Sequence, residues 1–270
     1  MTRIRHKATG ETLLELESDT LAGASLPHAM LAYADLAGQD LRGADLRWAD
    51  LCIADLAGAN FDGAELSGAD LSGSSLVGAS LVGARLTDAK LLGVNFTGAV
   101  LRRADLTRTT FRLSYLTAPA DFRDAILYRA SLAHAALPGA DLSGADLRES
   151  NLNSANLAGA NLTGAALTSA SLAQTILRGA TLRSADLTHA LLAGADLEDA
   201  ELGDAIFGRT VLADCGSLAL ARALDEVSHA GPSSLDLLTL RSLIESGATS
   251  FLSRAGVSGS LLERAGALLV

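Results

Sequence analysis

Carboxylates are the first residues in this chain whose type and spacing could do chemistry. Asp35, Asp40, Asp45, Asp50 and Asp55 recur every five residues. Such rows suggest paired catalytic carboxylates or a calcium site. A solvated repeat position explains them more simply, because the acids keep step with a repeat that runs far beyond them. The histidines are His6, His28, His134, His189 and His229. None stands at metal-ligand spacing from a cysteine or another histidine, so zinc is not supported. No Gly-x-Ser-x-Gly nucleophile motif occurs. The glycines imitate Gly-rich loops, but they mark turns of a repeat and do not lead a phosphate cradle into a helix. The expectation is a non-enzymatic protein without cofactor or metal.

The element that positions these residues is a pentapeptide array over residues 21–212. Stepping by five from Leu21 gives twenty centres to Leu116, and a second run from Phe122 to Leu212 gives nineteen. Of these 39 centres, 34 are Leu and 5 are Phe, and Ala stands two residues before 30 of them. The exceptions are mostly small, as at Ser74, Ser114, Ser150 and Thr175. A helix needs apolar spacing near 3.6 and a flat strand alternates every second residue, so neither fits a period of five. A short extended piece followed by a turn does fit. Ala and Leu, two apart, then face inward, and the Asp or Asn between them faces out. Leu46, Leu51, Leu142 and Leu147 are expected as core positions of this kind. Gly two residues after many centres suits turns with positive φ.

Tandem Ala-(Asp/Asn)-Leu-x-x units resemble the pentapeptide repeat family, over about 192 of the 270 residues. The resemblance implies an all-β solenoid, a right-handed quadrilateral β-helix. At four sides of five residues, the 39 centres make about ten coils. With coils stacked at strand spacing, the rod would be roughly 45–48 Å long.

Composition agrees with one elongated domain carrying end pieces. Aromatic residues make up 4% of the chain and hydrophobic residues 49%, which suits a narrow interior of Leu and Ala. No run of about 20 apolar residues indicates a membrane span. The N-terminus has no apolar stretch of the secretory type. Cys52 and Cys215 lie near opposite ends of the rod and are not expected to pair, which fits a reducing cytoplasm. The net charge of −10 disfavours direct nucleic-acid binding.

Residues 1–20 read as a hairpin cap: Ile4-Arg5-His6-Lys7 and Thr12-Leu13-Leu14-Glu15-Leu16 flank Ala8-Thr9-Gly10. The first run is banded in charge. Between positions 30 and 70 eight acids face Arg42 and Arg47; between 71 and 120 six basic residues face Asp88 and Asp105. One extra residue shifts the frame near 117–122, at Pro119, which belongs in a turn or bulge. A kink there would present Arg112, Tyr115, Arg123 and Tyr128. Residues 213–270 are expected to form a helical cap or docking segment. Leu218, Ala221, Leu224 and Val227 stand at helical spacing, and a second helix starts near Ser233-Ser234 and ends at Gly247. Gly231-Pro232-Ser233-Ser234 and Phe251-Leu252-Ser253-Arg254-Ala255-Gly256-Val257 also resemble the linker that precedes Toll/interleukin-receptor domains in some bacterial pentapeptide repeat proteins. No such domain, and no activity of that kind, is expected within these 270 residues.

Two pairs stand out on the surface. Tyr33 and Ile53 are twenty apart and should stack on one side, with His28 and Trp48 on the neighbouring side. Aromatic residues are enriched at interface hot spots. The expected function is a rigid protein–protein interaction scaffold whose partner is another protein. The family resemblance implies an alternative: a mimic of duplex DNA that binds DNA gyrase or topoisomerase IV and protects against their inhibitors, dimerising through residues 213–270. A mimic should be acidic along its whole length, and the basic band over 71–120 argues against that.

Overall fold

The computed structural model describes residues 1–268. Its body is a stack of coils in which each outward residue before a centre bridges, in parallel, the residue twenty further on, as in Asp50↔Asp70 and Asp55↔Ser75. Five residues per side and twenty per coil make four sides. Each side is tied to the next coil by backbone hydrogen bonds. Leu51 N–H donates to Asp70 O at 2.7 Å, Asp70 N–H to Ala49 O at 3.0 Å and Ile53 N–H to Ser72 O at 2.8 Å. Within the side, Ala54 N–H returns to Leu51 O at 3.1 Å and closes the corner turn. Backbone groups are therefore satisfied between coils although no side is a long strand.

The sequence pattern explains this geometry. Leu46, Leu51, Leu142 and Leu147 are fully buried, as are the alanines two residues before them. Leu over Leu and Ala over Ala fill the interior column, so each coil is stabilised chiefly by its two neighbours. The acids between them point outward and do local work. Asp50 Oδ1 accepts from Cys52 N–H at 3.0 Å, and Asp55 Oδ1 from Ala57 N–H at 3.1 Å. Asp and Asn side chains commonly nucleate turns in this way. These carboxylates are turn-formers.

The frame shift adds one residue to a single corner. Bridges of twenty become twenty-one across it, from Val100↔Asp121 to Tyr115↔Ala136, and return to twenty at Asp121↔Asp141. Pro119 sits exposed in that corner, where its missing N–H costs nothing. Inside, Phe96, Phe111 and Phe122 meet with ring centroids 5.4, 5.8 and 6.2 Å apart. Three aromatic rings occupy the interior where the stacking register changes.

At the N-terminus β1 (Thr2–His6) and β2 (Thr12–Leu16) form an antiparallel hairpin, and β1 pairs antiparallel with β3 (Ala34–Asp35). Ile4 is buried against the first coil. The pairing covers one strand edge that would otherwise be open.

The C-terminal part differs from the sequence expectation. No α-helix covers residues 218–227. After β4 (Ile206–Phe207) and β5 (Val211–Leu212) the chain makes two 3-10 turns, Gly216–Leu220 and Leu224–Glu226. It then pairs in parallel through β6 (Ser228–His229) on β4 and β7 (Ser234–Leu235) on β5. One more coil is built from a sequence without the repeat. Spacing of three suits a 3-10 turn as well as a helix. Leu218, Leu224 and Val227 still point inward. The open edges of β4 and β5 decide the outcome, because they need strand partners. For the same reason the next helix begins later than expected. Ser234 N–H donates to Thr210 O at 2.9 Å, and α1 covers Leu237–Glu245, capped by Asp236, which accepts from Thr239 N–H at 2.9 Å. Helices α2 (Thr249–Arg254) and α3 (Gly259–Leu268) follow. Phe251 and Leu252 of α2 are buried.

Candidate interaction surface

Corners decide what the rod presents. The third residue of the regular corner turns has φ near +60°, the left-handed region in which glycine is comfortable; Ala118, at the frame-shift corner, is the exception. His28, Tyr33, Trp48 and Ile53 occupy this position with φ of 58°, 60°, 62° and 57°. Ile53 is the β-branched residue among the described residues with positive φ, and such residues resist this conformation most. Large side chains are thus held outward at two adjacent corners of the first coils.

Trp48 is 59% exposed, Tyr33 42% and Ile53 40%. The Trp48 ring lies over Gly68, one coil on, and Ile53 Cγ1 lies 3.4 Å from where a Cβ of Gly73 would be. The hairpin reaches the other corner. His6 stacks on Tyr33 with centroids 5.3 Å apart and planes 19° apart, and the Lys7 ammonium donates to the Ile53 carbonyl. Between the two corners stand Met30, 74% exposed, and Asp50. Met30 was not legible as a surface residue of note, because the sequence shows only that its position faces outward.

The second group divides. Arg112, Leu113 and Tyr115 lie together on one coil, with Leu92 on the coil before, and all four are exposed. Tyr128 stands at a different corner. Its hydroxyl donates to Glu149 Oε1 at 3.0 Å, and the Arg129 and Arg148 guanidinium carbons lie 5.0 and 5.9 Å from its ring centroid. Tyr128 is tied into an ion-paired cluster, and the structure does not bring it to Arg112 and Tyr115. Arg123 joins Asp121 at 2.7 Å and borders an open cleft of about 380 Å³ with Arg102, Arg103 and Asp124.

Charge is less banded in space than along the chain. Basic residues of the middle coils reach carboxylates one coil back: Arg85 to Glu65 at 3.6 Å, Lys90 to Asp70 at 3.2 Å and Arg108 to Asp88 at 2.5 Å. Arg42 and Arg47 fork onto Asp40 and Asp45 of their own turns and hold those carboxyls at about 2, well below the usual range. Asp35, Asp50 and Asp55 have no ion pair among the described residues.

The remaining reactive groups are quiet. Burial, aided by hydrogen bonding to Asp70 and Asp50, pushes the Cys52 thiol up to about 12, and burial pushes Cys215 to about 11. Neither is a thiolate near neutrality, as a nucleophile would need to be. No group of three or more metal-ligating side chains occurs among the described residues. No helix there is long and apolar enough to cross a membrane.

Comparison with known proteins agrees with this architecture. The family model for pentapeptide repeats matches in eight copies, over residues 21–52, 54–88, 79–117, 125–164, 145–183 and 160–199. No curated protein matches. Among solved structures, the chain is 33% identical to HetL, a pentapeptide repeat protein involved in heterocyst differentiation regulation from the cyanobacterium Nostoc sp. strain PCC 7120. That alignment covers 68% of this chain and 90% of HetL, with a TM-score of 0.32. A trypsin-treated variant of QnrB1, a plasmid-mediated fluoroquinolone resistance protein, is 21% identical. It aligns over 76% of this chain and 97% of its own, with a TM-score of 0.48. A pentapeptide repeat protein of the Arabidopsis thaliana thylakoid lumen is 25% identical over 48% of this chain and 69% of its own, with a TM-score of 0.23.

Proposed function

The chain belongs to the pentapeptide repeat family, whose members fold as right-handed quadrilateral β-helices, and on that premise we propose that it is a non-enzymatic scaffold docking a protein partner on its rigid rod. The observation that carries this reading is the arrangement of the first coils. Trp48, Tyr33 and Ile53 project from two adjacent corners at left-handed φ, on a backbone tied to its neighbours on every side. Aromatic anchors held rigidly lose little conformational freedom when they bind. Arg112 and Tyr115 form a second contact point of the same hot-spot chemistry, with Leu113 beside them. His28 shares the Trp48 corner and belongs to the first point, while Tyr128 stands apart from both as a separate candidate contact. About ten coils separate the hairpin cap of residues 1–20 from the C-terminal segment of 213–270, which serves as end cap or as a dimerisation surface.

The charge pattern supports the scaffold over the DNA mimic. Carboxylates of the middle coils are answered by guanidinium and ammonium groups, whereas duplex DNA carries unbroken negative charge. The test is affinity capture from cell lysate on immobilised full-length protein, on Trp48→Ala/Ile53→Ala and on Arg112→Ala/Tyr115→Ala. The scaffold reading expects a protein retained by the parent and lost from one double variant whose thermal stability is unchanged. Gyrase or topoisomerase IV subunits among the retained proteins would favour the mimic. Equal retention by all three forms would overturn the assignment of these residues.

A further inference from the structure

At the C-terminal end of the rod a partly buried histidine has both ring nitrogens turned inward without a polar partner among the described residues. His229 lies on β6, between Phe207 of β4 and Phe251 of α2. Its ring centroid is 6.1 Å from Phe207 and 4.9 Å from Phe251, with planes at 74° and 65°. The two phenylalanine rings meet each other at 5.9 Å. Both imidazole nitrogens are buried, and neither has a hydrogen-bond partner among the described residues. A phenylalanine would fill this box as well. What histidine adds is a proton site.

The charged groups around the box are basic on the side that matters. Arg254 of α2 is close enough for its charge to disfavour a second cation on the ring. It is fixed there by bonds from Nε to the Ser250 carbonyl at 3.4 Å and from Nη2 to the Asp225 carbonyl. The 3-10 turn contributes that carbonyl, while the Glu226 carboxylate lies beside Arg183 at Gly203. Arg209, after β4, lies against Gly231. No carboxylate among the described residues hydrogen-bonds the ring. Protonation would therefore place a second cation beside Arg254 and bury two N–H donors with no acceptor.

We propose that His229 is a proton-operated latch that fastens α2, and with it the C-terminal helices, to the last coil of the rod. The neutral ring seats Phe251 against Phe207. The imidazolium leaves the box for water, and α2 detaches with it. Burial, and then Arg254, lower the proton affinity of the ring from its ordinary value of 6.5. The latch is therefore fully closed above 6.5, the value of the exposed ring, and weakens as pH falls from there through the lower folded value. The C-terminal segment would respond to mild acidification while the coils do not.

Hydrogen exchange on the full-length protein tests this, with rates corrected for the intrinsic effect of pH. Between pH 7.5 and 5.5, protection of the Leu252 and Ala255 amides should fall severalfold, up to about tenfold, the equivalent of the one pH unit between 6.5 and 5.5. Protection of Leu142 and Leu162 in the rod should stay constant and reports that the coils remain folded. His229→Phe should abolish the fall in α2. Constant α2 protection in the parent, or the same fall in a folded His229→Phe, overturns the latch. Should that variant not fold, NMR titration of the His229 ring in the parent decides. A midpoint below 6.5 coinciding with α2 opening supports the latch, and a midpoint at or above 6.5 overturns it.

Discussion

The Trp48 indole lies across Gly68, the residue twenty further along the chain and one coil away, so closely that a Cβ on Gly68 would stand only 2.2 Å from the indole Cε3. The two residues occupy the same corner position with φ of 62° and 69°. One can be large only because the other has no side chain.

This relationship predicts a non-additive pair. Gly68→Ala should cost about 1–2 kcal/mol for left-handed backbone alone, and more in the parent because the indole must move. In a Trp48→Ala background only the backbone cost should remain. A double-mutant cycle by urea denaturation should show a coupling of about 0.5–3 kcal/mol. Additive costs would mean that the indole does not rest on Gly68.

Ser74 stands at an alanine position, and its buried hydroxyl has no hydrogen-bond partner among the described residues. Ser74→Ala should stabilise the protein by about 1–3 kcal/mol, the cost of an unsatisfied buried polar group. Thr175 and Thr210 occupy the same kind of position but donate to Leu152 O and Leu187 O at 2.8 and 2.9 Å. Replacing either by Ala should bring a smaller gain or a loss. Denaturation midpoints compare the three, and an equal gain at all of them would remove the hydrogen bonds from the explanation.

Leu147, fully buried at mid-rod, should behave as a core residue of the interior column. Leu147→Ala should cost about 2–5 kcal/mol through lost burial and the cavity left behind. Arg148→Ala next to it should cost under about 1 kcal/mol, since its pair with Asp146 is on the surface. Comparable losses from the two would contradict the sealed interior.

Acid should loosen the rod through its paired carboxylates. Asp40 and Asp45 are held at about 2 by Arg42 and Arg47, below their ordinary 3.8. Their contribution is present above 3.8 and is lost as pH falls through 2. Melting temperature followed from pH 5 to 2 should decline, and less steeply in Arg42→Ala/Arg47→Ala. An unchanged slope in that variant would assign the acid sensitivity elsewhere. This window opens at 3.8 and that of His229 at 6.5, so the onset of the two effects can be separated.

Much of this protein is written in its sequence, and the reason is local. Each five-residue unit carries its own inward Ala and Leu, its turn-forming Asp or Asn and its corner residue. Leu51 meets the same environment as Leu46 or Leu142, so repetition of the pattern dictates repetition of the coil. The exposure of Trp48 and Ile53 followed from counting in twenties. Tertiary structure decided what depends on contacts between units. Lys90 and Asp70 belong to opposite charge bands along the chain, yet they neutralise each other across one coil. Tyr128, near Arg112 in sequence, lies three corners further along the chain, on the corner stacked above Arg108, and binds Glu149 instead. Leu218, Leu224 and Val227 carry a spacing that both a helix and a 3-10 turn satisfy. The unpaired edges of β4 and β5 made them part of a further coil. Strand edges, ion pairs and the inward-turned ring of His229 are all set by what a neighbouring coil offers, which no single repeat encodes.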